Sequence, residues 1–226
     1  MCGRYTLYSP KSELESHFGA AFKTDMEPAA SYNIAPGAQQ PVALYGKARQ
    51  PGITLMKWGL VPPFADDASI GFKMINARSE TLDQKPSFKK AFQRKRCLIP
   101  ANGFYEWKKL EGSDRKLPFY IRLIHQELFA FAGLFERWES NKGEELFTFT
   151  IITTQANSLL QPLHERMPVI VDARHYDYWL NPLNEDKAGL VSLLRPYPTE
   201  NMSVFRISPE VNKTSNNHKG LIEPVV

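Results

Sequence analysis

Cys2 is the residue whose position carries the most chemistry. It follows Met1 directly and precedes Gly3. If Met1 is removed, Cys2 carries a free α-amine and a thiol on adjacent carbons. The amine can attack an aldehyde to give a Schiff base, and the thiol can then add to the imine and close a five-membered thiazolidine ring. An internal cysteine cannot do this. An α-amine has a pKa of ~7.7 against ~10.4 for a lysine, so at neutral pH it is neutral several hundred times more often. Small second residues are common, and on position alone the reading of Cys2 as accidental stays open.

Imine formation and ring closure need proton transfers, for which a carboxylic acid and a histidine are suited. Glu106 lies in GFYEW between Tyr105 and Trp107. Buried among aromatics, it would have a raised pKa and suit a general acid; on the outer face of a strand it would be a plain surface acid. His164, in LHERMPVI, is the second candidate, with a structural role as the alternative. Asn76, in MINARSET, could bond a substrate hydroxyl or the terminal amine. Arg78, two residues on, could pair with a phosphate through its planar fork. A turn asparagine beside a surface salt bridge is the other reading. From Lys85 to Arg96 the chain runs KPSFKKAFQRKR, with Lys85, Lys89, Lys90, Arg94, Lys95 and Arg96 and no acid. Such a run is either a phosphate-facing patch or a solvated helix face.

The elements that must position these residues are mostly strands. PVALY, ITLMKWGL, RCLIPANGFYEW, PFYIRLI, ELFAFAGLFERW, LFTFTIITT and MSVFRI are rich in β-branched and aromatic residues. The polar turns KLEGSDRK and ESNKGEE join several of them. Helices are short: KSELESHF after Ser9-Pro10, PSFKKAFQ after Lys85, ARHYDYWL after Asp172, and EDKAGLVSLLR. The expectation is one α+β domain with a barrel-like, mostly antiparallel β core and peripheral short helices. The terminal LIEPVV should dock onto the body.

Composition bounds the rest. The chain has 226 residues, 42% hydrophobic and 23% charged, with a formal net charge of +4. These values fit one globular domain, exclude wholesale disorder, and make charge alone a poor argument for nucleic acid. No apolar run is long enough for a membrane helix, and the start has no signal-peptide core. A cytosolic or nuclear location is therefore expected. Cys2 and Cys97 are expected to be free thiols. The five histidines show no zinc spacing, so no metal or other cofactor is implied.

Taken together, MCGRY at 1–5, YNIAPG at 32–37, KWGLVP at 57–62, INARSET at 75–81, RCLIPANGFYEWK at 96–108, LHERMPVI at 163–170 and LIEPV at 221–225 resemble the SRAP family of abasic-site processing proteins. The pieces span almost the whole chain in family order, so the resemblance implies an SRAP-like domain over 2–226 with Met1 removed. It implies recognition of abasic sites in single-stranded DNA and a covalent thiazolidine between the terminal cysteine and the sugar C1′. Carried over by position, Cys2 is the nucleophile. Asn76 positions the sugar and amine, Glu106 moves protons, and His164 assists ring opening and reversal. Arg4, Asn33, Pro36, Arg78, Trp107 and Thr153 fall at positions that look like those lining the DNA cleft. The partner implied is single-stranded DNA, with no membrane and no need for more than a monomer, in a bacterial cytoplasm. Weak strand-cleaving lyase activity and self-removal of Met1 are implied possibilities.

One departure stands out: Phe64 of VPPFADD occupies a stretch where family members often carry tryptophan, beside Asp66 and Asp67. Two other classes are weighed against this reading. One is a cysteine peptidase using a Cys2 thiolate and His164; the other is a plain single-stranded DNA binder in which Cys2 is incidental.

Overall fold

The computed structural model describes residues 2–24, 27–46 and 50–225. Met1, whose removal the sequence reading invokes, lies outside them. The strands in chain order are β1 (Tyr5–Leu7), β2 (Ala21–Phe22), β3 (Ser31–Ile34), β4 (Gln39–Tyr45), β5 (Pro51–Trp58), β6 (Asn76–Arg78) and β7 (Arg96–Ala101). They continue with β8 (Gly103–Lys109), β9 (Lys116–Leu123), β10 (Phe129–Glu139), β11 (Glu145–Gln155), β12 (Arg166–Pro168), β13 (Ile170–Val171) and β14 (Met202–Arg206). The helices are α1 (Lys11–Phe18), α2 (Pro86–Arg94), α3 (Tyr176–Leu180) and α4 (Lys187–Ser192).

Five strands close on themselves. β4 pairs with β5 and β7, β7 with β10, and β10 with β11, all antiparallel. β11 then pairs with β5 in parallel and completes a mixed barrel. A second sheet, in the order β14-β9-β8-β1-β3, is antiparallel throughout. The expected α+β domain with a barrel-like core and short outer helices is what forms. No helix among the described residues is long and apolar enough to cross a membrane.

The two sheets meet through aromatic side chains. Tyr5, on β1, inserts edge-on against Trp58 and Phe131, with ring centroids 5.2 and 5.9 Å apart. Trp58 in turn stacks on Phe149 across the parallel β5–β11 pair. All four are buried, and edge-to-face pairs of this kind add to the hydrophobic term. The strand that begins next to Cys2 is therefore plugged into the barrel by its own side chain.

Glycine makes one close approach possible. Gly59 has φ 120°, and a Cβ there would stand 2.6 Å from the carbonyl oxygen of Gly71. No other residue fits both the angle and the gap. The segment 68–75 thus lies directly on the end of β5 and delivers Asn76 to β6, alongside Ile151 of β11.

The run RCLIPANGFYEW reads as one strand but is two. Asn102 breaks it, and the chain leaves the barrel (β7) for the second sheet (β8). Its side chain explains the break. The Oδ1 accepts from the backbone N–H groups of Tyr8 and Ser9, at 2.7 and 3.2 Å. The Nδ2 donates to Ser9 Oγ and the Glu127 carbonyl, at 2.9 and 3.0 Å. Ser9, expected to cap α1, is taken up by this network, and Pro10 stands at the cap position instead. Pro86 opens α2 as expected, with Phe88 and Phe92 buried, while ARHYDYWL is a 3-10 turn followed by α3 and EDKAGLVSLLR is helical only over Lys187–Ser192. Asp172 caps the turn into α3, and Asp186 caps α4. The apolar end docks as expected, with Leu221 buried and Ile207 bridged to Pro224.

Asn102 satisfies several buried groups at once, so Asn102→Ala leaves them without partners. A loss of about 3 kcal/mol is expected. It should appear as a lowered urea midpoint with an unchanged slope; an unmoved midpoint would mean the network holds nothing together.

Candidate active site

Cys2 is held between three elements. Beyond β1 the chain continues along β8, where the Tyr105 N–H donates to the Arg4 carbonyl at 3.0 Å. Extending that antiparallel register brings the N-terminal residues beside Glu106. From the other side, Asn76 Nδ2 donates to the Cys2 carbonyl at 2.8 Å. Cys2 is fully buried. Burial pushes its thiol well above the ordinary range, and the neighbouring Glu106 charge adds to the shift. The thiol is therefore protonated at rest.

Glu106 is only 3% exposed. Strand alternation sends Phe104 and Glu106 to the barrel side of β8, and Tyr105 and Trp107 to the other. The clusters agree: Phe104 belongs to the main core, while Tyr105 and Trp107 pack in a second one. Burial raises the Glu106 carboxyl pKa, which is the shift a general acid needs. The outer-face alternative for this residue is thereby removed.

His164 closes a turn in which Asn157 Oδ1 accepts from the Leu160 N–H at 3.0 Å. Its Nδ1 accepts from the Arg166 backbone N–H at 2.9 Å. An accepting Nδ1 carries no proton, so the neutral ring bears its proton on Nε2. Burial lowers the His164 pKa.

The sequence reading passes over the pair that braces this site. Arg166 forks onto Glu80 at 2.7 and 2.9 Å and also donates to the Thr153 carbonyl at 2.6 Å. Arg166 stands two residues from His164 and Glu80 four from Asn76, so one ion pair ties the two motifs together. The signal was there as opposite charges in INARSET and LHERMPVI.

The expected cleft residues divide. Arg78 is exposed at the end of β6, and among the described residues its side chain has no hydrogen bond or ion pair. Arg4 lies 5.9 Å from the Trp107 ring centroid. Its Nη1 donates to Asn33 Oδ1 at 2.6 Å and to the Val211 carbonyl at 2.9 Å. Asn33 is buried and committed: its Nδ2 donates to the carbonyls of Val211, Lys213 and Asn216. It holds Arg4 and the C-terminal segment rather than facing open space. Thr153 is wholly buried and cannot line an open surface, and its Oγ1 has no partner among the described residues. Pro36 sits half-buried in the turn after β3. Phe72 lies against that turn, its ring 3.2 Å from where a Gly37 Cβ would be. Phe64 and Phe72 are 64% and 62% exposed; the sequence reading weighed the first and missed the second.

The Lys85–Arg96 run is not one patch. Arg96 is buried under Trp179 and donates to the carbonyls of Phe92, Gln93, Trp179 and Asn181. Burial lowers its pKa to about 10. Arg94 pairs with Glu185 and Lys95 with the buried Glu136. Lys85, Lys89 and Lys90 are exposed, with no side-chain ion pair among the described residues. Cys2 and Cys97 are both free, and Cys97 is buried elsewhere in the core. No group of His, Cys, Asp and Glu among the described residues could hold a metal ion.

A mixed barrel with a buried second-position cysteine, an asparagine on its carbonyl and a desolvated carboxyl beside it defines an SRAP-type fold and site. The sequence description of the SOS response associated peptidase (SRAP) family matches residues 1–214, and the chain belongs to that family. It is 45% identical over 224 residues to the abasic site processing protein YoqW of Bacillus subtilis (strain 168), covering 99% of both chains. It is 44% identical to YoaM of the same organism, another abasic site processing protein, over 99% of this chain and 98% of that one. A crystal structure of a Bacteroides thetaiotaomicron protein superposes over the full length of both chains with a TM-score of 0.90 at 27% identity.

Glu106 makes stability depend on pH. A carboxyl whose pKa is raised on folding keeps its proton at pH values where the unfolded chain has released it. Its contribution to stability therefore falls as pH rises from the ordinary value of 4.5 through the raised one, then levels off. The Glu106→Gln variant lacks this loss, so it should gain on the parent protein across that window and be the more stable at neutral pH. Equal pH–stability profiles would show that folding does not raise this carboxyl.

Proposed function

We propose that this protein processes abasic sites in single-stranded DNA by forming a thiazolidine crosslink through Cys2, once hydrolysis of the Met1–Cys2 peptide bond has freed the α-amine. The observation that carries this reading is the bond from Asn76 to the Cys2 carbonyl beside a buried Glu106. It fixes the position of the second residue relative to a proton donor. The shared family and the two B. subtilis relatives, both abasic site processing proteins, support the substrate class.

In this mechanism the neutral amine of Cys2 attacks the C1′ aldehyde of the ring-opened sugar and gives a carbinolamine. Glu106 protonates the departing hydroxyl, which leaves as water, and takes back the proton lost from the nitrogen as the imine forms. The thiol adds to the imine carbon while its proton passes to the nitrogen, closing the ring. The net change is two groups joined and one water lost. His164, with its proton on Nε2, faces the sugar oxygen whose protonation opens the ring. Asn76 Oδ1, buried and without a partner among the described residues, is available to the amine. The same imine is the branch point for β-elimination, which would cut the strand.

The state of the thiol favours this order over a cysteine peptidase. A peptidase needs a thiolate, made by a neighbouring imidazolium or a lowered pKa. Here burial and a carboxylate neighbour push the Cys2 thiol up, and burial keeps His164 neutral. An amine that attacks first needs no thiolate. For binding, Arg78 is an exposed cation with no side-chain partner among the described residues, and Phe64 and Phe72 are exposed rings on which bases can stack. Contacts of these kinds do not read base edges, so little sequence preference is expected.

Intact mass tests the chemistry. With a single strand carrying one abasic site, the adduct should weigh protein minus Met1, plus DNA, minus one water, and should survive heating. Cys2→Ser should give no stable adduct, only a Schiff base that borohydride traps; a heat-stable adduct from the serine variant would falsify ring closure. Arg78→Ala should weaken binding and flatten the salt dependence by about 0.7 in log–log slope, one phosphate contact on a single strand. An unchanged slope would take Arg78 off the list of phosphate contacts.

A further inference from the structure

The C-terminal segment does more than cover the second sheet. Its Ile207, Val211 and Leu221 are fully buried against Tyr105 and Tyr120, with Trp107 and Tyr32 packed on the same cluster. From this anchored position the segment presents acceptors to the residues beside the site. The Val211 carbonyl takes Arg4, and the carbonyls of Val211, Lys213 and Asn216 take Asn33. Asn217 Oδ1 takes the Tyr32 N–H at 2.7 Å. Asn212 Oδ1 takes the indole N–H of Trp107 at 2.7 Å.

The last bond differs from its counterparts. The chain has four tryptophans. Trp58, Trp138 and Trp179 give their indole protons to the backbone carbonyls of Ile75, Ala65 and Cys97. Trp107 alone uses a side-chain acceptor, supplied from 105 positions further along the chain. One face of its ring is covered by the Arg4 guanidinium. Held at the edge by Asn212 and on one face by Arg4, the half-buried indole keeps a single orientation and leaves part of its ring open to solvent.

We propose that the segment 207–221 is the positioning element of the Arg4–Trp107 pair, and that Asn212 is the positioning residue that fixes the indole for a nucleotide next to the lesion. This rests on the reading that the site takes single-stranded DNA. A ring already held in its binding orientation loses less freedom when a base stacks on it, so affinity and not the chemical step should depend on Asn212.

Two measurements test this. In the free protein, a spectrum of the ¹⁵N-labelled indole N–H groups should show four resonances, and Asn212→Ala should shift one of them. That resonance should be the one missing in Trp107→Phe, and Asn212→Asp, which keeps an acceptor oxygen, should bring it back towards its position. With a single strand carrying one abasic site, Asn212→Ala should raise the half-saturating concentration about fivefold, the scale of one hydrogen bond. The crosslinking rate at saturation should stay where it was. Added to Trp107→Phe, which keeps a stacking face but has no donor, Asn212→Ala should cost nothing further. An unmoved indole resonance, or a full additional loss in the Trp107→Phe background, would overturn the proposal. If the parent protein binds the strand but forms no adduct, the crosslinking reading fails, while the indole spectrum and the binding curves still decide the role of Asn212.

Discussion

Cys2, the proposed reactive residue, lies ahead of the first strand, and its position depends on how tightly that short stretch is held. Tyr5 does most of the holding. Its ring lies between Trp58 and Phe131 in the barrel, so the backbone three residues after Cys2 cannot move without opening the core. The remaining residues are then held by a few hydrogen bonds: Arg4 on β8, Asn33 and the C-terminal segment, and the Cys2 carbonyl on Asn76. Each would be weak at a loose terminus. Added to a strand already fixed by a buried aromatic, each needs to order only one further residue, and its free energy is not consumed by chain entropy.

The second constraint is the cost of burying Glu106 beside a thiol. A desolvated carboxyl without full compensation destabilises the fold, and the surroundings must bear it. The pairing around the site runs the other way. Glu80 sits with its charge matched by the fork of Arg166, and its pKa is lowered by that bond. Glu136, equally buried, has Lys95. Glu80 and Glu136 are thus paired with cations, while burial holds the Glu106 carboxyl above its ordinary pKa.

Much of the barrel was legible in the sequence because its signals are local. The hairpin β10–β11 follows from two aromatic-rich runs around ESNKGEE, and Gly143 at φ 80° supplies the turn. What the sequence hid depends on partners far along the chain. Asn102 breaks a continuous strand pattern only because the backbone of residues 8 and 9 lies against it. Asn33 reads as a cleft residue until the C-terminal carbonyls are seen to occupy its amide. The short strand β6 has no alternation long enough to detect; it exists because β11 offers a parallel edge. The site residues Cys2, Asn76, Glu106 and His164 stood out through motif resemblance, and composition alone would not have joined them.

The basic run from Lys85 to Arg96 shows why charge counted along a sequence is not charge on a surface. Helical periodicity puts Phe88 and Phe92 inward and turns the lysines between them outward. After the helix ends, the strand β7 carries Arg96 into the interior, where water cannot reach it. Its guanidinium is then satisfied by the carbonyls that the ends of α2 and α3 leave without helical partners. A cation used this way holds helices to the barrel and contributes little to any field outside. Of the six cations in the run, Arg96 is therefore lost to the interior and Arg94 and Lys95 are tied to acids, while Arg78, at the end of β6 and two residues from the asparagine that holds Cys2, stands exposed with no side-chain partner among the described residues.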